Sequence, residues 1–246
     1  MSNAMTPPFL KELIPGGIEY GTNLLVEFEA DSLWYETSLT IAAHALRTGI
    51  KIDYHNFQHT PNDIRKALDR RGLDVRKLED DNMLWIVDSY TVQTGHDTSK
   101  DQTDVTQVSV KLADWSIALA RDLKMGISET MKRRLHIDDN TGILLQYNEE
   151  KAIIDFWRTR YIPYSRAREC VNIYSLLTNV TSTSFYKQYE SLSDGIIDFK
   201  SEEAENELQH YVRIRTLRGR RCDTHWRKLE LSDNGEVALT DQKTVS

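Results

Sequence analysis

Apolar and polar positions along the chain form two kinds of segment, short apolar runs and longer stretches with helical spacing. The apolar runs of strand length occur at 23–28, 50–57, 83–90, 133–138 and 171–178. Helical spacing occurs at about 32–47, 60–72, 108–123 and from about 148. In the second of these helices, Thr60 can cap the start, Pro61 suits the first turn and Gly72 ends the helix. Because strands and helices alternate, the pattern predicts an α/β fold with a mostly parallel central sheet flanked by helices.

The pattern changes towards the carboxyl end, where short strand-like runs alternate with polar turns. The runs are GIIDF, QHYVRIRTL and WRKLELS, and the turns between them are SEEAEN and SDNGE. This arrangement predicts an antiparallel C-terminal edge added to the parallel sheet. The stretch at about 91–107 has no periodicity and is predicted to be an irregular surface loop. Since no linker rich in Pro, Gly or Ser is present, the pattern predicts a single domain over 6–246, and MSNAM at 1–5 resembles an expression scar.

Composition and charge exclude several classes of protein. The chain has 39% hydrophobic and 28% charged residues, as globular proteins do. No apolar run reaches the roughly 18 residues of a membrane span, and no signal peptide is visible, so we expect a cytoplasmic protein without a membrane partner. The net charge of −7 argues against nucleic-acid binding by the whole surface. Cys170 and Cys222 are too few for a zinc site or a disulfide framework.

One basic stretch, RIRTLRGRR at 213–221, departs from this acidic balance. Arg213, Arg215 and Arg220, with Trp226 as a stacking surface, form a candidate face for nucleic acid or for a partner. Arg213 and Arg215 share one face of the predicted strand. Because the chain has 38 acidic residues, a salt-bridged sheet edge is the favoured interpretation of this stretch.

The turn between the first apolar run and its helix, EADSLWYE, lies where α/β proteins commonly bind phosphate. Phosphate binding there needs glycines and a lysine, and this turn has neither. It has the acidic side chains Glu29, Asp31 and Glu36 instead. We therefore expect Asp31 or Ser32 to cap the helix, with Glu36 in the first turn, where the helix dipole favours negative charge.

Four segments occur in a characteristic order: LIPGGIEYGTNLLVE, YHNFQHTPNDIRKAL, SLSDGIIDF and RIRTLRGRR followed by WRKLELSDNGEV. Together they resemble KaiC-like ATPases of the RecA superfamily over about 13–237. The last segment is the most specific of the four. The resemblance implies a RecA-like P-loop NTPase fold, ATP and Mg²⁺ as the ligands of active relatives, and a frequent role in signalling.

The same resemblance shows what the turn has lost. Phe28, Asp31 and Leu33 stand where the family has its P-loop glycines, Trp34 stands where it has the lysine, and Tyr35 stands where it has the magnesium-binding hydroxyl. Side chains with a Cβ disfavour the backbone that cradles phosphate, and an indole supplies no positive charge. We expect Trp34 and Tyr35 to fill the space that a nucleotide occupies in active relatives.

Other positions of the family's ATP site are changed as well. Gln58 and His59 match its acidic pair, which activates the attacking water. Asp138 matches its magnesium-contacting aspartate, with Asp88 as a competing match. Near the carboxyl end the family often reaches a neighbouring subunit's nucleotide with a lysine and an arginine. In this chain Thr216 replaces that lysine, whereas Arg218 is kept.

Metal binding is a weak alternative function for the histidines of this region. His55 and His59 lie near Asp53 in the sequence, but they flank a predicted strand end and do not share one helix face. We therefore predict no metal site.

These losses together predict a catalytically degenerate KaiC-like protein. It would act in signalling or regulation through protein–protein interaction, without ATP hydrolysis and without a cofactor. Its partner is unknown, and self-association or an active KaiC-like homologue are the candidates. The alternative hypothesis is a nucleotide-binding regulator that still takes ATP and Mg²⁺ in an unorthodox P-loop. A nucleic-acid-binding RecA relative is the least favoured hypothesis.

Overall fold

Two sheets organise the chain in this computed structural model, which describes residues 4–94, 106–204 and 206–240. The strands are β1 (Ala4–Met5), β2 (Ile18–Glu19), β3 (Asn23–Phe28), β4 (Ile52–Asn56), β5 (Leu84–Asp88), β6 (Thr106–Gln107), β7 (Leu135–Asp138), β8 (Val171–Leu177), β9 (Gly195–Ala204), β10 (Glu207–Leu217), β11 (Arg227–Leu231) and β12 (Val237–Thr240). β1 and β2 form a small antiparallel pair. The other strands form one sheet in the order β12-β11-β10-β9-β3-β8-β7-β4-β5-β6.

The large sheet is parallel from β9 to β6 and antiparallel from β9 through β10 and β11 to β12. Its central strands β3, β4, β7 and β8 are buried on both faces, because helices cover both sides. The predicted α/β fold, with its mostly parallel sheet and antiparallel C-terminal edge, is confirmed.

Helices fill the connections between the parallel strands. The α-helices are α1 (Pro8–Leu13), α2 (Trp34–Arg47), α3 (Pro61–Arg70), α4 (Val75–Asp80), α5 (Tyr90–Thr94), α6 (Leu112–Met125), α7 (Glu150–Phe156), α8 (Ile162–Ala167) and α9 (Thr183–Leu192). A π-helical segment, Trp157–Tyr161, joins α7 to α8. The predicted start of α3 is confirmed, because Thr60 accepts the backbone N–H of Asp63 and Pro61 lies in the first turn.

The sheet separates two hydrophobic cores because its side chains alternate between the two faces. On β7, Leu135 and Ile137 belong to the core that includes α1 and α2. His136 and Asp138 face the other side, where both contact Tyr161 from the π-helical segment. Asp138, the last residue of β7, therefore faces away from the core that contains α2.

Several segments differ from the predicted pattern. The predicted loop at about 91–107 begins as α5, whose Thr91 N–H binds the carboxylate of Asp88, and it ends as β6, which pairs with β5. The intervening residues 95–105 lie outside the described part of the chain. The predicted turn SEEAEN is wrong at 201–204, which continue β9 in register with β10. At the other end, Met5 from the stretch interpreted as a scar is buried and pairs with Ile18.

α9 was not part of the predicted pattern. It is capped by Ser182, whose hydroxyl accepts the N–H of Phe185. Among the residues that the structure describes, no helix is both long enough and apolar enough to cross a membrane.

Candidate functional site

The turn before α2 lies at the carboxyl end of β3, in the middle of the parallel sheet. β3 is flanked by β8 and β9, and all three run in the same direction. In open α/β sheets, ligands bind at the carboxyl ends of the strands. The turn is therefore the first place to examine for a ligand site.

Trp34 fills the space behind this turn. Its side chain is only 2% exposed, and its indole N–H donates to the backbone carbonyl of Asp139 at 2.9 Å. The indole lies against Phe199, with ring centres 5.3 Å apart, and against Phe28 at 6.4 Å. Leu33 is buried beside it in the same core. The residue that matches the family's lysine is thus a satisfied core side chain.

The backbone of the turn is not arranged as a phosphate-binding nest. Such a nest needs successive residues of opposite backbone handedness. The residues with positive φ among those described include none between Phe28 and Tyr35. The carboxylate of Glu29 accepts the N–H of Ser201 at 2.9 Å, and the carbonyl of Asp31 accepts its hydroxyl at 3.1 Å. The turn is therefore attached to β9.

The predicted cap of α2 is wrong. The N-cap residue is Leu33, without a side-chain hydrogen bond, and neither Asp31 nor Ser32 caps the helix. The physical reason is that Asp31 is exposed and its carbonyl is bound to Ser201 across the turn. Glu36 does lie in the first turn, as predicted.

Tyr35 and His59 cover the outer side of the turn. Their ring centres are 4.0 Å apart, with 31° between the ring planes. Burial and the nearby charge of Asp139 raise the pKa of Tyr35, and burial lowers the pKa of His59. Gln58 is exposed. Of the two residues that match the family's acidic pair, His59 therefore packs against Tyr35, and Gln58 exposes its side-chain amide to solvent.

Asp139, which the sequence analysis missed, is a buried carboxylate close to this turn, because its backbone carbonyl accepts the indole N–H of Trp34 and its charge acts on Tyr35. It is fully buried, and one carboxylate oxygen accepts the N–H of Phe57 at 2.8 Å. Burial raises the pKa of Asp139 to about 7, and the charge of Asp138 adds to the effect. The signal that could have found it is the strand alternation, which turns Asp138 to the opposite face of the sheet from Trp34.

The two aspartates proposed as Walker B matches have other partners. Asp138 contacts His55, His136 and Tyr161 on the α6 to α8 side. Asp88 accepts the side-chain amide of Asn56 at 3.0 Å and also binds the first turn of α5. The structure therefore places neither carboxylate beside Trp34.

The arginines of the basic stretch are paired with carboxylates along the antiparallel edge. Arg213 donates to Asp198 at 2.7 Å, and Arg215 binds Asp198 together with Glu27 at 2.6 Å and Glu190 at 2.5 Å. These contacts are those of a salt-bridged sheet edge.

Trp226 and Arg220 are also occupied by contacts within the chain. Trp226 lies under the side chains of Lys200, at 4.5 Å, and Arg213, at 4.4 Å. Arg220 donates to the carbonyl of Gly17 at 2.7 Å and also pairs with Glu19. The two residues do not form an open stacking face.

Arg218 lies at the opposite edge of the sheet from the turn. It follows Leu217, which pairs with Gly195, and Gly195 in turn lies beside Leu24 at the amino end of β3. Its side chain is largely exposed and lies 3.4 Å from Asp194. Thr216 lies in β10, two residues before Arg218. The structure therefore places neither Thr216 nor Arg218 beside the turn before α2 of the same chain.

Comparisons with known proteins bear on the family and the fold of the chain. A family model described as "ATPase: KaiC" matches residues 10–243. The structure is similar to that of a KaiC-like protein from the hyperthermophilic archaeon Pyrococcus horikoshii OT3, with a TM-score of 0.69, 17% sequence identity and 98% of each chain covered. At that identity, the structural likeness shows the fold alone. No curated protein matches the chain in sequence.

Proposed function

The chain belongs to the KaiC ATPase family, and we propose that it is a degenerate member that acts by protein–protein interaction without hydrolysing ATP. The observation that carries this proposal is the position of Trp34. Its indole is buried against Phe28 and Phe199 and bonded to the Asp139 carbonyl, and it stands at the position that the resemblance assigns to the phosphate-binding lysine. A nucleotide could bind there only if this side chain left the core.

The surroundings of Trp34 support the same proposal. The acidic side chains of the turn repel the phosphate groups of a nucleotide, by about 1 to 4 kcal/mol per pair of unit charges at 4 Å. Glu29 is held next to β9 by its bond to Ser201 and cannot easily move away. Gln58 and His59 carry no carboxylate, so the acidic pair that activates water in active relatives is absent from these positions.

We propose that the partner binds the exposed side of α6. Three exposed large apolar side chains, Ile117, Leu123 and Met125, lie on this helix, more than on any other element that the structure describes. Contiguous exposed apolar side chains are typical of interaction sites, and Ile117 and Met125, eight residues apart, share one side of the helix. A second copy of the chain is the first partner to test, because RecA-like proteins often assemble and self-association needs no further component.

ATP turnover by the purified, tag-free protein tests the loss of activity. We expect no phosphate release above the buffer blank, while an active KaiC-like homologue in the same assay serves as the positive control. ATP turnover by the wild-type protein that Asp139→Asn abolishes would refute the proposal, because Asp139 is the buried carboxylate close to the turn. Nucleotide binding without turnover would favour the alternative hypothesis, a regulator with an unorthodox P-loop.

Sedimentation of the same protein tests the interaction surface. We expect association that Ile117→Glu together with Met125→Glu weakens at least tenfold. Val180→Glu, an exposed apolar residue away from α6, is the matched control and should leave association unchanged. A monomer at all concentrations would exclude self-association and direct the search to another protein.

A further inference from the structure

Two histidines and an aspartate form a buried cluster on the face of the sheet opposite Trp34. His55 on β4 and His136 and Asp138 on β7 meet because the parallel register places His55 beside Asp138. His55 Nδ1 lies 3.0 Å from Asp138 Oδ1, and His136 Nε2 lies 3.1 Å from the same oxygen. The three ligand atoms all lie within 4.8 Å of one another. The sequence analysis missed this cluster because it considered His55 with His59 and not with His136.

Two distances in the cluster are close to those of a metal centre. A tetrahedral zinc ion with bonds of about 2.0 to 2.1 Å holds its ligand atoms about 3.3 Å apart. The two histidine nitrogens lie 3.0 and 3.1 Å from Asp138 Oδ1. Zinc binding would bring the two nitrogens, which lie within 4.8 Å of each other, to the same spacing.

Ser89 allows His55 to offer a lone pair to a cation. Its hydroxyl lies 2.8 Å from the carbonyl of Val108 and 2.8 Å from His55 Nε2, so when it donates to that carbonyl it accepts from Nε2. In this tautomer the Nδ1 of a neutral His55 presents its lone pair towards Asp138 Oδ1, and a cation between the two atoms would bind both.

His136 lies between two carboxylates. Its Nε2 lies 3.1 Å from Asp138 Oδ1, and its Nδ1 lies 3.7 Å from Asp53 Oδ2. Without a metal, a protonated His136 can pair with both carboxylates. With a metal bound at Nε2, the neutral ring keeps its Nδ1 proton on the side of Asp53.

The histidines have polar neighbours at their outer nitrogens, as metal ligands do. Metal-bound histidines almost always donate their other ring N–H to a carboxylate, a backbone carbonyl or water. Ser89 Oγ lies 2.8 Å from His55 Nε2, and the carboxylate of Asp53 lies 3.7 Å from His136 Nδ1. Asp53 is itself held by ion pairs to Arg134 and Arg168.

A cavity of about 320 Å³ gives the cluster an open side. His55 and His136 are among its lining residues, together with the aromatic side chains of Trp85, Trp115 and Tyr161. Three protein ligands and a free position are typical of zinc sites that bind water or a substrate, whereas structural sites are closed by a fourth protein ligand.

We propose that His55, His136 and Asp138 bind one divalent transition-metal ion, zinc in the first instance, with its fourth position open to the cavity. The site is independent of the turn before α2, because it lies on the other face of the sheet. The fourth ligand would be water or a small oxygen ligand that enters from the cavity.

Metal titration of the full-length protein tests this proposal. Protein stripped with a chelator and dialysed is titrated with Zn²⁺, and the bound metal is measured by mass spectrometry. We expect one equivalent per chain and a melting temperature raised by several degrees. Co²⁺ should give the intense visible absorption of a four-coordinate site. No uptake by the wild-type protein and no shift in melting temperature would overturn the proposal.

Variants show whether the metal binds at this cluster. His136→Gln should lose at least tenfold in zinc affinity, and Ser89→Ala, which keeps all three ligands, should lose about tenfold. His225→Gln is the matched control, because His225 is an exposed histidine beside Asp223 and could bind zinc adventitiously. Equal zinc binding by His136→Gln and wild type, or loss of binding only in His225→Gln, would contradict the assignment.

Discussion

Replacing Trp34 should reveal whether this side chain is part of the core. Trp34→Ala removes a buried indole, and such changes cost about 3 to 5 kcal/mol. It also leaves the carbonyl of Asp139 without its indole partner, which costs about 1 to 3 kcal/mol when the group stays dry. Since water can enter the new space, the two costs do not simply add. We expect the free energy of unfolding to fall by about 4 kcal/mol.

Equilibrium unfolding in urea, followed by far-ultraviolet circular dichroism, measures this loss. For a chain of this size, about 4 kcal/mol corresponds to a melting temperature lower by roughly 10 °C. Trp34→Phe keeps most of the apolar contact but loses the N–H donor, so it should cost about 1 to 2 kcal/mol. This milder variant keeps the test informative if Trp34→Ala does not fold.

Trp226→Ala is the matched control for this series. Trp226 is half-buried under Lys200 and Arg213, so its loss should cost no more than about 1 kcal/mol. If Trp34→Ala cost less than about 1 kcal/mol, or no more than Trp226→Ala, the indole would not be the core element that we describe.

Three further predictions concern the antiparallel edge and the outer side of the turn. Arg215→Gln leaves Glu27 and Asp198 without their main cation, and because Arg215 is about one-third exposed we expect a loss of about 2 kcal/mol in urea unfolding. The same pairing predicts no salt-dependent binding of single-stranded DNA, and fluorescence anisotropy that detected such binding would contradict it. Burial lowers the pKa of His59, so as the pH falls the unfolded chain takes up a proton at this residue before the folded chain does. The stability due to the neutral His59 is therefore complete above its unfolded pKa of about 6.5 and is lost as the pH falls below that value. His59→Gln should therefore flatten the fall in stability between neutral and acidic pH, whereas His225→Gln should not.

The fold could be predicted from the sequence because its signals are local and repeated. Apolar runs such as 23–28 and 171–178 have the length of buried strands, and Thr60 and Pro61 mark a helix start without help from the rest of the chain. The prediction failed at 201–204, where polar residues continue a strand because their backbone pairs with β10. Register across strands decides that outcome, and it is not visible in one segment.

The site was less predictable for the same reason. Side-chain type alone indicated that Trp34 could not bind phosphate. Strand alternation separates Asp138 from Asp139, but it does not show which of the two lies close to the turn and which faces His55 and His136. That distinction depends on which face of β7 each side chain occupies and on the neighbouring strand that reaches it.

Calorimetric titration with Mg-ATP and Mg-ADP, up to millimolar nucleotide, tests the central claim most directly. If Trp34 fills the site, the tag-free protein should give no binding heat, and its melting temperature should not change with nucleotide. Micromolar binding, reduced by Asp139→Asn and left unchanged by His225→Gln, a substitution of an exposed side chain in the segment after β10, would contradict the account of the turn before α2.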